Sequence, residues 1–330
     1  MEAVPVKYLS PEEVGKEQEK ELLLKENPNR WVMFPIEYHV FWELYKEIEN
    51  NFWASENYRF SDDREAATKL DKAVYDCMVK LVYYHAQLDL KDLAKPTAVT
   101  LAMLSEVQIP EMRAFYGFQV SYENIHSEVF GSIGLTLPGS CDTDVGKDKR
   151  NWLASKFGGA KCYYEKVVIQ CISKLVFRSC FAIFSTYLDK ENLLPTIVKA
   201  MKMVEKDIGI HLRFASSTLD HLKLRLAKEH VAALLQEALE LELAFCKEVL
   251  PLAVMGLTED QLKEYIKSSV NQCFLIAGHP EEHRLDDDVE WLGRQMLDLK
   301  VTVKTAQKMK SVPSPLPEPT MGPISFDDDF

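Results

Sequence analysis

Residues 115–130 read FYGFQVSYENIHSEVF. The run holds no proline, and its apolar residues recur at helical rather than alternating spacing, which predicts a helix buried on most of its surface. Glu123 and His126 stand three residues apart. On a helix such positions project from nearly the same face, so a carboxylate and an imidazole can grip one ion. The pattern alone is common, and a solvated surface pair is the ordinary explanation for it. Here Phe115, Tyr116, Phe118, Val120, Ile125, Val129 and Phe130 leave little polar surface around the pair. Both side chains are therefore expected to point into a bundle.

A bundle that holds two metals on carboxylates needs a second such motif on another helix. The best candidate is Asp207-Ile208-Gly209-Ile210-His211, which has the histidine but isoleucine where the glutamate belongs. Upstream, residues 27–53 (NPNRWVMFPIEYHVFWELYKEIENNFW) are dense in aromatics, and Phe41, Leu44, Tyr45, Ile48 and Phe52 recur at helical spacing. Apolar periodicity with few breakers continues through roughly 67–94, 101–136, 160–189, 196–227, 230–249 and 258–274, while strand-like alternation is scarce. Long helices joined by short links predict an all-α bundle. Three regions follow: a flexible, charge-mixed arm over 1–26, a helical domain over 27–305, and a flexible tail over 306–330. After Lys310 the sequence SVPSPLPEPTMGPISFDDDF carries five prolines and no base, a composition that disfavours helix and sheet. Its end reads either as an idle tail or as a short motif with aromatic anchors and acids for a partner's pocket.

With 51 acids against 39 bases the chain carries a formal charge of −12. This balance argues against nucleic acid or an anionic membrane as a partner, since both call for a concentrated basic face. No run approaches eighteen uninterrupted apolar residues, so no membrane span is expected, and the charged opening does not read as a secretory signal. Seven scattered cysteines without zinc-type spacing are expected to be reduced thiols in a cytoplasmic protein. Phosphate-loop, dinucleotide, nucleophile-elbow and H-E-x-x-H signatures are missing. HPEEH at 279–283 has two histidines four apart, but Pro280 and the following RLDDD favour a solvated acidic loop.

Taken together, NPNRWVMFPIEYHVFWELYK, NNFWASE and EVQIPEMRAFYGFQVSYENIHSE resemble the small subunit of class I ribonucleotide reductase. The likeness continues more faintly through VVIQCISKLVFRS, LLPTIV, KDIGIHLRFAS and LPLAVMGL, and ISFDDDF is similar to that family's large-subunit docking tail. The resemblance implies a ferritin-like helical bundle. In that family two irons are held by Asp, Glu and His from the first half of the chain and Glu, Glu and His from the second. Carried over, the first ligand falls on Asp92, with Asp89 as a substitute because Pro96 would disturb a regular helix at Asp92. Glu123 and His126 match, the fourth position falls on Lys174, the fifth on Ile208 and the sixth on His211. A protonated ammonium cannot donate to iron and isoleucine has no lone pair, so a di-iron centre is not expected.

Other positions differ too. The radical tyrosine falls on Phe130, the tyrosine that relays the radical toward the large subunit on Ala306, and a phenylalanine of the radical pocket on Arg178. The relay positions Trp53 and Asp207 remain and are taken as structural. Lys174 and Arg178, four apart, are expected to share a helix face and to balance Asp92 and Glu123 in a core ion-pair cluster. Alternatives are that both cations snorkel outward around a water-filled pocket, or that one metal binds Asp92, Glu123 and His126. The resemblance implies a non-catalytic accessory small subunit, without a cofactor. Its partners would be a competent small subunit, as a heterodimer, and the large subunit through Ile324, Phe326, Asp327, Asp329 and Phe330. A regulatory or chaperone-like protein outside the reductase complex is the further alternative.

Overall fold

The computed structural model describes residues 6–30, 32–87, 96–137, 139 and 141–279. Asp89, Asp92, Ala306, the region 280–305 and the tail residues Ile324, Phe326, Asp327, Asp329 and Phe330 lie outside them. Among the described residues thirteen α-helices run in the order α1 (Pro11–Glu17), α2 (His39–Asn50), α3 (Arg64–Ala67), α4 (Lys72–Gln87), α5 (Pro96–Glu106), α6 (Pro110–Thr136), α7 (Asp144–Gly159), α8 (Tyr163–Cys171), α9 (Ser179–Lys190), α10 (Pro195–His221), α11 (Lys228–Val249), α12 (Leu252–Met255) and α13 (Glu259–Ile276). A π-helical turn, Ile172–Val176, lies between α8 and α9. The only strands among the described residues are β1 (Lys7–Leu9) and β2 (Leu224–Leu226), paired in parallel. The fold is all-α, a helical bundle.

Prolines and caps set the helix boundaries. Pro110 and Pro195 open the two 27-residue helices α6 and α10, where a missing N–H costs nothing. The expected segment 101–136 is therefore two helices: Ile109, before the proline, is extended at φ −84° and ψ 119°. Thr143 caps α7 through the Gly146 N–H, and Thr258 forms a reciprocal capping box with Gln261 at α13. Helix α7 was not among the expected segments, because its buried positions include Gly146 and Lys149 and its apolar stripe is thin.

Helix α6 packs against α2, α4, α5 and α10, so its inward face meets neighbours along its whole length. The Phe115 and Phe214 rings stack at 3.9 Å and 3° between α6 and α10, and Phe41 of α2 closes on Phe214 at 5.4 Å. The segment Tyr163–Lys190, spanning α8 to α9, is long and apolar enough to cross a membrane, yet 83% of its most apolar window is buried in the bundle. It is a core helix.

The flexible arm expected over 1–26 is corrected for residues 7–24. Lys7–Leu9 pairs with β2, Ser10 caps α1 with Glu13, and Val14 and Leu23 are buried. Glu21 accepts the Lys223 and Leu224 N–H groups, fastening this segment to the end of α10. Local composition reports polarity; these anchors are long-range partners.

Candidate functional site

Three helical elements deliver the predicted site residues to one place. Helix α6 carries Glu123, His126 and Phe130, all buried. Helix α10 carries Asp207, Ile208 and His211, and the π-helical turn carries Lys174, again all buried. A cavity of about 70 Å³ lies among them, and its lining includes Glu123, His126, Phe130, Lys174, Arg178 and Ile208.

Lys174 Nζ lies 2.8 Å from Glu123 Oε1, with the side chains only 6% and 2% exposed. The same carboxylate oxygen accepts from Thr100 Oγ1 at 2.9 Å and from Gln119 Nε2 at 3.1 Å. Three donors thus converge on one buried oxygen, one of them an ammonium. Lys174 Nζ also lies 3.4 Å from His211 Nδ1. Burial, reinforced by the charge of Lys174 and the neighbouring His126 and Arg178, holds the His211 imidazole well below its usual pKa. A neutral ring offers a lone pair at Nδ1 to the ammonium, with the proton on Nε2. One cation thus touches a residue from each half of the site. Glu123 Oε2 and His211 Nε2 have no hydrogen-bond partner.

The other polar chain runs outward from His126. Its Nε2 lies 2.9 Å from Asp207 Oδ2, and the Trp53 indole N–H donates to the same oxygen at 2.9 Å. Asp207 is fully buried; these contacts serve Oδ2, while Oδ1 has no hydrogen-bond partner. Trp53 and Asp207 are therefore in direct contact, joined to His126. Phe130 lies beneath the site, stacked on His85 with ring centroids 4.9 Å apart. Burial, with the charges of Arg178 and Lys149, depresses the His85 pKa well below its ordinary value.

The expectation that Arg178 joins Lys174 against the buried carboxylates is corrected. Arg178 Nε and the Nη2 group bond Glu205 Oε1 at 3.1 and 2.6 Å, and the guanidinium covers the Phe181 ring. The physical reason is the π-helical turn. Residues i and i+4 share a face only in an α-helix, whereas here Phe177 N–H reaches back to Ile172 O, and Phe177 and Arg178 have ψ of 1° and 2°. HPEEH is corrected at its start: His279 is buried and its Nε2 lies 3.1 Å from Leu226 O.

Thr100, Gln119 and Gln170 were missed as partners of this site. Gln119 lies one turn before Glu123, a spacing that could have drawn attention to it. Nothing in the sequence signals Thr100, whose Oγ1 also accepts from Gln170 Nε2 at 3.3 Å.

The residues present do not fit a dinuclear carboxylate centre. Lys174 brings an ammonium and Ile208 a hydrocarbon to the cavity, neither of them a metal donor, and the Lys174 ammonium engages Glu123 and His211. Among the described residues no group of three or more His, Cys, Asp or Glu is arranged to hold a metal ion.

The family model "Ribonucleotide reductase, small chain" matches residues 30–283. The chain is 31% identical over 297 residues to ribonucleoside-diphosphate reductase subunit M2 of Danio rerio, covering 86% of this chain and 75% of that protein. It is 30% identical over 331 residues to the Homo sapiens subunit M2, covering 94% and 83%. Among solved structures, the Rnr4 homodimer from Saccharomyces cerevisiae superposes with a TM-score of 0.75 at 22% identity, over 90% of this chain and 94% of that one. The dimanganese(II)-NrdF of Streptococcus sanguinis gives 0.66 at 16% identity, over 80% and 95%. These two structures share the fold. A family match spanning most of the described bundle and the two M2 relatives lead to one conclusion: the chain belongs to the ribonucleotide reductase small chain family.

Proposed function

We propose that this chain is a non-catalytic accessory small subunit of ribonucleoside-diphosphate reductase, in which an ammonium group takes over the charge balance of a metal centre. The observation that carries this reading is the buried Lys174–Glu123 pair at 2.8 Å, with Ile208 facing the same cavity. Two further positions support it. Phe130 has no phenol to oxidise, and Ala306, at the relay position toward the large subunit, has no ring at all. The His126–Asp207–Trp53 chain then keeps its shape as a structural brace between α6, α10 and the segment around Trp53.

On this reading the chain works by association in a cytoplasmic complex. It pairs with a competent small subunit, helps hold that partner ready for metal loading, and docks on the large subunit. Docking is assigned to Ile324, Phe326, Asp327, Asp329 and Phe330: apolar anchors for a groove, with acids that orient the tail and speed encounter. A reductase assay with large subunit, competent small subunit and this chain, added in all combinations, tests the proposal. The expected result is no turnover from this chain with the large subunit alone, and raised turnover when it joins the competent subunit. Turnover from this chain and the large subunit alone overturns it. Removal of residues 324–330 is expected to abolish large-subunit binding; undiminished binding removes the docking assignment.

A second reading has one observation in its favour. Glu123 Oε2 is unpartnered, and His126 is oriented through Nε2 by a carboxylate, as metal-ligating histidines usually are. One metal on Asp92, Glu123 and His126 would give stoichiometric metal and an electronic or paramagnetic signal, whereas the accessory reading predicts neither.

A further inference from the structure

A second buried Lys–Glu pair lies beyond the site already described. Lys149 of α7 and Glu242 of α11 are both 0% exposed, and Lys149 Nζ lies 2.6 Å from Glu242 Oε2. The ammonium is packed against aromatic faces, 3.8 Å from the Phe245 centroid, 4.4 Å from Tyr84 and 5.0 Å from Phe177. Replacing such a pair by apolar residues commonly leaves stability unchanged or raised, so stability by itself is a weak reason for it.

Its contacts with the main chain are more telling. Lys149 Nζ donates to Phe177 O at 3.2 Å, and Glu242 Oε1 accepts the Cys180 N–H at 2.8 Å. Phe177 and Cys180 flank the place where the π-helical turn ends and α9 begins. A break in a helix strands carbonyls on one side and N–H groups on the other, and burial makes each one costly. The ion pair answers both needs, an acceptor for the stranded N–H and a donor for the stranded carbonyl. The same break separates Lys174, which reaches Glu123, from Arg178, which reaches Glu205.

We infer that Lys149 and Glu242 are a positioning pair: they splint the main chain at Phe177–Cys180 and thereby fix the turn that aims Lys174 at Glu123. This goes beyond the accessory-subunit reading and stands on geometry alone, so it holds or fails independently of any reductase assay. Neither residue touches the Lys174–Glu123 contact; they act through the backbone between.

The test uses the full chain and three proteins: the parent, Lys149→Met/Glu242→Met, and Glu242→Gln. The double substitution removes both charges together, so no lone charge is left buried. Glu242→Gln keeps an acceptor oxygen for Cys180. Amide hydrogen exchange at Cys180 and the side-chain ammonium resonance of Lys174 are read in each. In the folded double variant the Cys180 amide is expected to exchange about tenfold faster or more, having lost a charge-assisted hydrogen bond. The Lys174 resonance is expected to shift, and Glu242→Gln to restore part of the Cys180 protection. A folded double variant with parental Cys180 exchange and a parental Lys174 signal overturns the inference, because the pair would then only fill space. If the double variant does not fold, the parent decides. Cys180 exchange as slow as that of helix interiors supports the splint, and exchange at the rate of exposed amides overturns it.

Discussion

On one side of the site His126, Asp207 and Trp53 form a chain of hydrogen bonds running outward from the cavity; on the other, the Lys174 ammonium and Ile208 line the cavity beside Glu123. The two sides answer the same question, how a buried acid is kept from costing several kcal/mol, with different chemistry. Asp207 is answered by an imidazole and an indole N–H. Glu123 is answered by a full positive charge with Thr100 and Gln119 added. On the accessory-subunit proposal, the first side is retained for its geometry and the second is rebuilt around charge balance.

The largest effect should come from breaking the rebuilt side. Lys174→Met removes the cation from buried Glu123, and is expected to cost about 3–5 kcal/mol in urea unfolding. Lys174→Met/Glu123→Gln should recover most of that loss. A single variant as stable as the parent would remove the ion pair from the account. Next, Lys174→Glu/Ile208→Glu restores carboxylates to the rebuilt side. It should gain about 4 °C of melting temperature when manganese(II) reaches a hundredfold excess over its Kd, and the parent none. An unresponsive double variant would mean that the two substitutions are not what excludes metal.

The retained side should be less sensitive. Asp207→Asn keeps the shape but weakens both bonds, at about 1–3 kcal/mol, with a change in Trp53 fluorescence. An unchanged spectrum would break the proposed brace. Acid response probes the wall between the two sides. Because burial depresses the His85 pKa, the native state binds fewer protons than the unfolded state below the ordinary histidine value. Its contribution is therefore complete above about pH 6.5 and is lost as pH falls toward the folded pKa, with a slope of at most about 1.4 kcal/mol per pH unit. His85→Phe should flatten the stability profile there; a profile as steep as the parent's would reassign the acid sensitivity. The smallest effect belongs to Arg178→Gln, whose Glu205 partner is one-third exposed. About 0–1 kcal/mol is expected, with the Lys174–Glu123 pair untouched.

What was legible in the sequence follows the reach of each interaction. The spacing of Glu123 and His126, set in an apolar helix, was enough to turn both inward, because helical periodicity is local. That Lys174 and Ile208 would meet Glu123 in one site was legible through the family resemblance, and all three line the same cavity. The divergence of Lys174 from Arg178 was not, since an i, i+4 reading assumes an α-helix and the turn at Ile172–Val176 is π-helical. Residues 7–24 read as a loose arm because the partners that fix them, β2 and the end of α10, lie some two hundred residues away in the chain. Lys149 sits in the charged run DVGKDKRNW, where nothing local marks it as buried; only the fold brings it to Glu242.

The central claim is that Lys174 supplies the charge a metal would otherwise bring to Glu123. The most direct test is the metal content of the full chain, purified from iron- and manganese-supplemented medium and freed of loosely bound ions, beside a competent small subunit treated identically. The account predicts loaded metal in the competent subunit and only traces in this chain. Tightly bound iron or manganese in stoichiometric amount in this chain would contradict it.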